Sequence, residues 1–86
     1  MKYKVYLSVG IVEALEPDEF VGEADTVKDI IRIMHRYLDE RGIKKQRYWR
    51  YIFDTKTTVV DYGSWSHFFT ITPALTMEEL TKGTEE

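Results

Sequence analysis

The sequence predicts an α+β fold: a single helix packed on a four- to five-stranded antiparallel sheet, in the order β-(β)-α-β-β-β. Three observations predict it. Residues 48–72, YWRYIFDTKTTVVDYGSWSHFFTIT, hold eight of the twelve aromatic residues and read as three β-branched and aromatic runs divided by short polar turns. Residues 3–9 alternate apolar and polar side chains. Residues 26–42 carry the one strong helical period, and a glycine closes it.

Tyr3, Val5, Leu7 and Val9 alternate with Lys2, Lys4, Tyr6 and Ser8, the pattern of a half-buried strand. Gly10 marks a bulge or a strand end, and Ile11 and Val12 fit a strand that continues past such a bulge. Leu15-Glu16-Pro17-Asp18-Glu19 reads as a turn in which Pro17 presets φ, followed by a short returning strand over residues 20–24. Thr26 is placed to cap the helix, with Asp29 three residues on as a capping-box variant. Asp25 and Asp29 lie near the positive helix end. Val27, Ile30, Ile31, Met34 and Leu38 recur at three and four, making one apolar stripe. Lys28, Arg32 and Arg36 line the opposite side, Ile33 falls off the stripe and Tyr37 lies at its edge. With Arg41 as C-cap and Gly42 left-handed, Leu38 and Ile43 become the apolar pair of a Schellman motif.

The three later runs are residues 48–54, 57–62 and 66–72. Asp54, Thr55 and Lys56 form the first turn and Gly63-Ser64 the second, while Pro73 stops the last run because it cannot donate to a ladder. Such short connections make an antiparallel meander. Period-two alternation puts Trp49, Tyr51 and Phe53 on one face and Tyr48, Arg50 and Ile52 on the other. Phe69 and Ile71 oppose Phe68 and Thr70, and Val59 opposes Val60, which Tyr62 joins. The expected helix-side core is Val5, Leu7, Phe69 and Ile71 against Ile30, Ile31, Met34 and Leu38. The other face is expected to carry Tyr6, Ile52, Val60, Tyr62 and Phe68. A short C-terminal helix, capped by Thr76 and Glu79, would cover part of that face through Leu75, Met77 and Leu80. The remaining apolar patch predicts a homodimer or higher oligomer. Residues 1–80 are expected to form one domain and 81–86 a disordered tail.

Composition narrows the function. A chain of 86 residues buries only about 60–65% of its unfolded surface, so its apolar residues serve one core or a partner surface. With no cysteine there are no disulfides and no thiolate metal sites. Met1-Lys2-Tyr3-Lys4 leads into an alternating run, not an apolar leader, and no apolar stretch approaches the roughly 20 residues of a membrane span. The expectation is a cytoplasmic protein with no membrane partner.

The net charge of −3 hides an asymmetry. Glu13, Glu16, Asp18, Glu19, Glu23 and Asp25 form an acidic block, and Arg41, Lys44, Lys45, Arg47 and Arg50 a basic one. Basic and aromatic residues interleave in Arg41, Lys44, Lys45, Arg47, Trp49 and Arg50, the combination that binds phosphates and stacks bases. No RRM, KH or helix-turn-helix signature accompanies them. Trp65, beside two serines, reads as a core anchor or a subunit contact in preference to an exposed binding hot spot. The candidate interface residues are Ile33, Tyr37, Ile52, Tyr62, Trp65 and Phe68.

Chemistry-bearing motifs are sparse. His35 and Asp39 are spaced as a surface ion pair, and the two histidines lack the HExxH spacing of a zinc site. Asp61, Ser64 and His67 supply the residue types of a hydrolase triad, but no GxSxG elbow surrounds the serine, and Asp61 and Ser64 with Gly63 suit a tight turn. No glycine-rich phosphate loop is present. The reading is a protein without enzymatic activity, metal or cofactor.

Val60-Asp61-Tyr62-Gly63-Ser64 followed by Phe68-Phe69 resembles the C-terminal region of small phage- and prophage-encoded proteins of Gram-positive bacteria. The resemblance covers about a quarter of the chain. It implies a small accessory protein and no particular activity or functional residue. The expected function is therefore protein–protein binding, to a host or phage protein and to itself. The alternative is a nucleic-acid or nucleotide binder using residues 41–50.

Overall fold

The alternating residues at the start of the chain form β1 (Tyr3–Val9), and the next strand, β2 (Glu16–Ala24), pairs with it antiparallel. The capped helical stripe becomes α1 (Val27–Glu40). The aromatic stretch yields β3 (Arg50–Phe53), β4 (Thr58–Asp61) and β5 (His67–Thr72), and α2 (Met77–Thr84) follows. These elements come from a computed structural model, which describes residues 2–11, 14–44 and 49–84. The strands make one antiparallel sheet in the order β2-β1-β5-β4-β3. The N-terminal hairpin and the C-terminal meander thus meet through β1 and β5 at the centre, and α1 connects the two edges.

The α+β class and the antiparallel sheet agree with the sequence. The element order is corrected to β-β-α-β-β-β-α. The second strand is no short return but nine residues long, and it contains the Leu15–Glu19 segment expected to turn, apart from Leu15 itself. Pro17 pairs with Ser8 inside it. Proline is tolerated there because β2 is an edge strand, where a missing N–H breaks no second ladder. The turn instead precedes the strand: Gly10 adopts φ 128° and the Ala14 N–H bonds to Ile11 O at 2.9 Å. At the other end α2 runs to Thr84, past the expected domain boundary at residue 80, and residues 85–86 lie outside the described residues.

Local signals position α1. The Thr26 hydroxyl accepts the Asp29 N–H at 3.2 Å. At the C-terminus Gly42 has φ 64°, and the Ile43 and Gly42 N–H groups bond to Leu38 O and Asp39 O at 2.9 and 3.2 Å. That pair of bonds is the Schellman motif. Val27, Ile30, Met34, Tyr37 and Leu38 are buried and Ile31 is half-buried. They pack on Tyr3, Val5 and Leu7 of β1 and on Phe69 and Ile71 of β5, with Val5 opposite Ile71 and Leu7 opposite Phe69. Seven of these side chains, counting Val60 of β4, are wholly enclosed: Val5, Ile30, Met34, Leu38, Val60, Phe69 and Ile71.

The face expectation needs a correction. Val60 and Tyr62 belong to the helix-side core, not to the opposite face. Val60 lies opposite both Tyr51 and Phe69, and so shares their face. Leu75 and Leu80 also pack into this core, so α2 covers the helix side as well. It is tied there by the Leu75 N–H, which donates to the buried Thr58 Oγ1 at 2.8 Å, and by the Tyr3 hydroxyl, which donates to the Glu79 carboxylate. Thr76 and Glu79 complete a reciprocal capping box, with N–H to side-chain oxygen distances of 3.2 and 3.0 Å.

Candidate interaction surfaces

The second face of the sheet is less apolar than expected. Tyr6 and Ile52 are half-buried there, Phe68 and Val59 are buried, and Ser8 and Thr70 pair their hydroxyls at 2.8 Å. Leu15 and Pro17 wall a hollow of about 310 Å³ above Ser8, Val59 and Thr70. The hairpin connection therefore covers part of this face.

The turn between β4 and β5 projects instead. Asp61 Oδ1 accepts the Gly63 N–H at 2.9 Å, and Gly63 has φ 109°. Ser64 Oγ accepts the N–H groups of Ser66 and His67 at 3.4 and 3.1 Å. Such side-chain bonds to nearby backbone fix a tight turn. Asp61 and Ser64 are thus committed to the turn, and the His67 ring nitrogen Nδ1 lies 2.9 Å from Ser66 Oγ. The turn holds Trp65 at its tip, 98% exposed, so the core-anchor reading is overturned. A tight turn leaves no chain on either side to enclose a side chain at its tip.

Two chain segments converge at this end of the sheet. Val9 pairs with His67, and the Gly10 N–H donates to Ser66 O at 3.0 Å. Val9 and Ile11 are 37% and 66% exposed, so three apolar residues face solvent on adjoining segments. Patterning did not single out Val9 or Ile11, because both looked like strand interior.

The other candidates are distributed differently. Tyr37, Tyr62 and Phe68 are buried. Ile52 is half-buried, and Ile33 is half-buried against β2, where a Cβ on Gly22 would stand 2.9 Å from Ile33 Cγ2. The missing side chain at Gly22 lets α1 approach β2 closely.

Two cations of the basic block, Arg41 and Arg50, are engaged within the chain. The Arg41 guanidinium sits 3.6 Å from the centre of the Tyr37 ring and 3.4 Å from Glu19 Oε1. Glu19 also accepts the Tyr37 hydroxyl at 2.6 Å. Burial, then this bond to a carboxylate, pushes the Tyr37 hydroxyl up to about 12. Arg50 lies 3.4 Å from Asp61. Trp49 stacks on His35 at 4.2 Å and 16°, with Tyr62 and Phe69 each 6.3 Å from it, and its Nε1 is buried without a hydrogen-bond partner. His35 therefore packs on an indole instead of standing on a purely polar face. Lys44 is exposed, and Lys45, Gln46, Arg47 and Tyr48 lie outside the described residues. The acidic block gathers on β2 as Glu16, Asp18, Glu19 and Glu23, all exposed, with Asp25 just beyond and Glu13 outside the described residues.

Among the described residues no group of three or more His, Asp or Glu is placed to hold a metal ion. No described helix is long and apolar enough to cross a membrane. No protein-family model, no curated protein and no solved structure matches this chain.

Proposed function

We propose that this chain is a small non-enzymatic interaction protein that self-associates and binds a protein partner through the sheet end bearing Trp65. The observation that carries the reading is the 98% exposure of Trp65 on a turn fixed by side-chain bonds. Holding a large apolar ring in water costs free energy of about 25 cal/mol per Å² relative to covering it. A fixed turn has already ordered the ring's backbone, so a partner that covers it gains the area without that entropic cost. Val9 and Ile11 on the adjoining segment extend the apolar surface. Tryptophan is among the residues enriched at binding hot spots. A phage or prophage setting belongs to the same proposal and rests on the sequence resemblance alone.

The nucleic-acid reading has weaker support. Arg41 and Arg50 each face a carboxylate, and the Trp49 ring is stacked on His35. Sedimentation velocity of the parent and of Trp65→Ala tests the proposal. The parent should sediment above the 10.2 kDa of one chain at tens of micromolar, and the variant as that single species. A parent that is already a 10.2 kDa monomer, or a variant with unchanged association, would refute it.

A further inference from the structure

We infer that the outer edge of β2, with the groove between it and α1, accepts an extended Lys- or Arg-bearing segment of a partner protein as an added strand. Among the described residues β2 pairs only with β1, so its outer row of backbone groups has no ladder partner among them. A groove of about 570 Å³ runs along that edge. On the helix side its apolar lining is Val21 and the half-buried Ile33. On the opposite face Phe20, paired with Tyr6, is 52% exposed at the same edge. Side chains of an added strand alternate between the faces, so whichever face receives its apolar set meets apolar surface.

Charge selects the occupant. β2 carries Glu16, Asp18, Glu19 and Glu23 with no Lys or Arg, and Glu40 of α1 lies across the groove. Arg36 and Arg41 also line it, but Arg41 is held by Glu19 and the Tyr37 ring, which leaves Glu16, Asp18, Glu23 and Glu40 against Arg36. Pro17 and the register shifts beside Gly22 and Glu19 guard the edge against indiscriminate pairing. A second copy of β2 would set carboxylates against carboxylates, whereas a cationic strand turns the same charges into attraction. The occupant is therefore a basic segment of another protein and not β2 of a second copy. This surface is distinct from the Trp65 end, so the two readings stand or fall separately.

The test uses the full chain, isotopically labelled, and a capped synthetic peptide alternating Lys and Val. A second peptide of equal charge carries N-methyl groups on alternate amides and cannot form a ladder. The first peptide should bind, weaken as salt rises, and slow amide exchange over residues 19–24. The N-methylated peptide should bind at least about tenfold more weakly, as loss of ladder bonds near 1 kcal/mol each requires. Glu23→Lys, at an exposed position, should weaken the first peptide several-fold, and Trp65→Ala should leave it unchanged. Equal binding of both peptides, protection confined to other strands, or no binding at millimolar peptide would overturn the inference.

Discussion

Gly22→Ala probes how α1 sits on the sheet. The added Cβ would stand 2.9 Å from Ile33 Cγ2, closer than two carbons approach without displacement. Ile33 is β-branched and its χ1 is held to one rotamer in a helix, so Cγ2 cannot swing aside. The helix or the edge strand must move, and overpacking of this kind costs about 1–3 kcal/mol. Restricting the unfolded chain by replacing glycine returns about 0.4–1 kcal/mol. The two ranges leave a net loss of about 0–2.6 kcal/mol, whose midpoint near 1.3 kcal/mol corresponds to roughly 5–10 °C in melting temperature for a domain of this size. Ile33→Ala removes Cγ2, so in that background Gly22→Ala should be neutral or slightly stabilising. The double-mutant cycle then yields a coupling of about 1–3 kcal/mol. Urea unfolding of the four proteins measures it. A coupling near zero would show that close approach at Gly22 does not set the helix position.

Three further outcomes follow from the geometry. Gly42→Ala should cost about 1 kcal/mol by thermal melt, because its φ of 64° resists a side chain while the space around it is open. Met34→Ala should cost about 2–5 kcal/mol in urea, since Met34 is fully enclosed beneath the sheet. The Tyr3 hydroxyl, with help from Thr76, holds the Glu79 carboxyl below its ordinary 4.5. The stability this contributes is present above about pH 4.5 and is lost as pH falls through the lower folded value. Melting curves of Glu79→Gln should therefore be less acid-sensitive than the parent's.

The parts of the fold legible in the sequence are those decided locally. Thr26, Asp29, Gly42 and Ile43 bound α1 within one turn at each end, and Thr76 with Glu79 starts α2 in the same way. The pairing core of Val5, Leu7, Phe69 and Ile71 was legible because period-two spacing puts each of these pairs on one face of its strand. The face of Val60 and Tyr62 was not. It depends on the β4–β5 register, and a shift of one residue flips every side chain. Residues 16–19 misled because Pro17 signals a turn wherever the strand's place in the sheet is unknown, and only the topology makes β2 an edge. Tyr37 looked marginal on the helical wheel, yet the approach of α1 to β2 buries it and hands its hydroxyl to Glu19. Of the candidate interface residues, Trp65 alone is fully exposed, which required the turn's geometry to see.

The corrected faces change what self-association should look like. With Val60, Tyr62, Leu75 and Leu80 on the helix side, the second face no longer offers a broad apolar surface. The exposed large apolar residues described at the sheet end are Val9, Ile11 and Trp65. Three exposed apolar side chains make a small patch, and stable complexes bury roughly 1,200–2,000 Å², so association through it should be weak and concentration-dependent. Two of the charges are already matched within the chain. Arg41 already faces Glu19 and Arg50 already faces Asp61 within one chain, which leaves fewer opposite charges to meet across a pair. Raising salt from about 50 to 500 mM should therefore change the dissociation constant by less than about threefold, since screening acts on exposed charges and not on buried apolar area. Sedimentation equilibrium at the two salt concentrations measures this. A dimer that dissociates sharply with salt would place the acidic and basic segments in the interface and take Trp65 out of its centre.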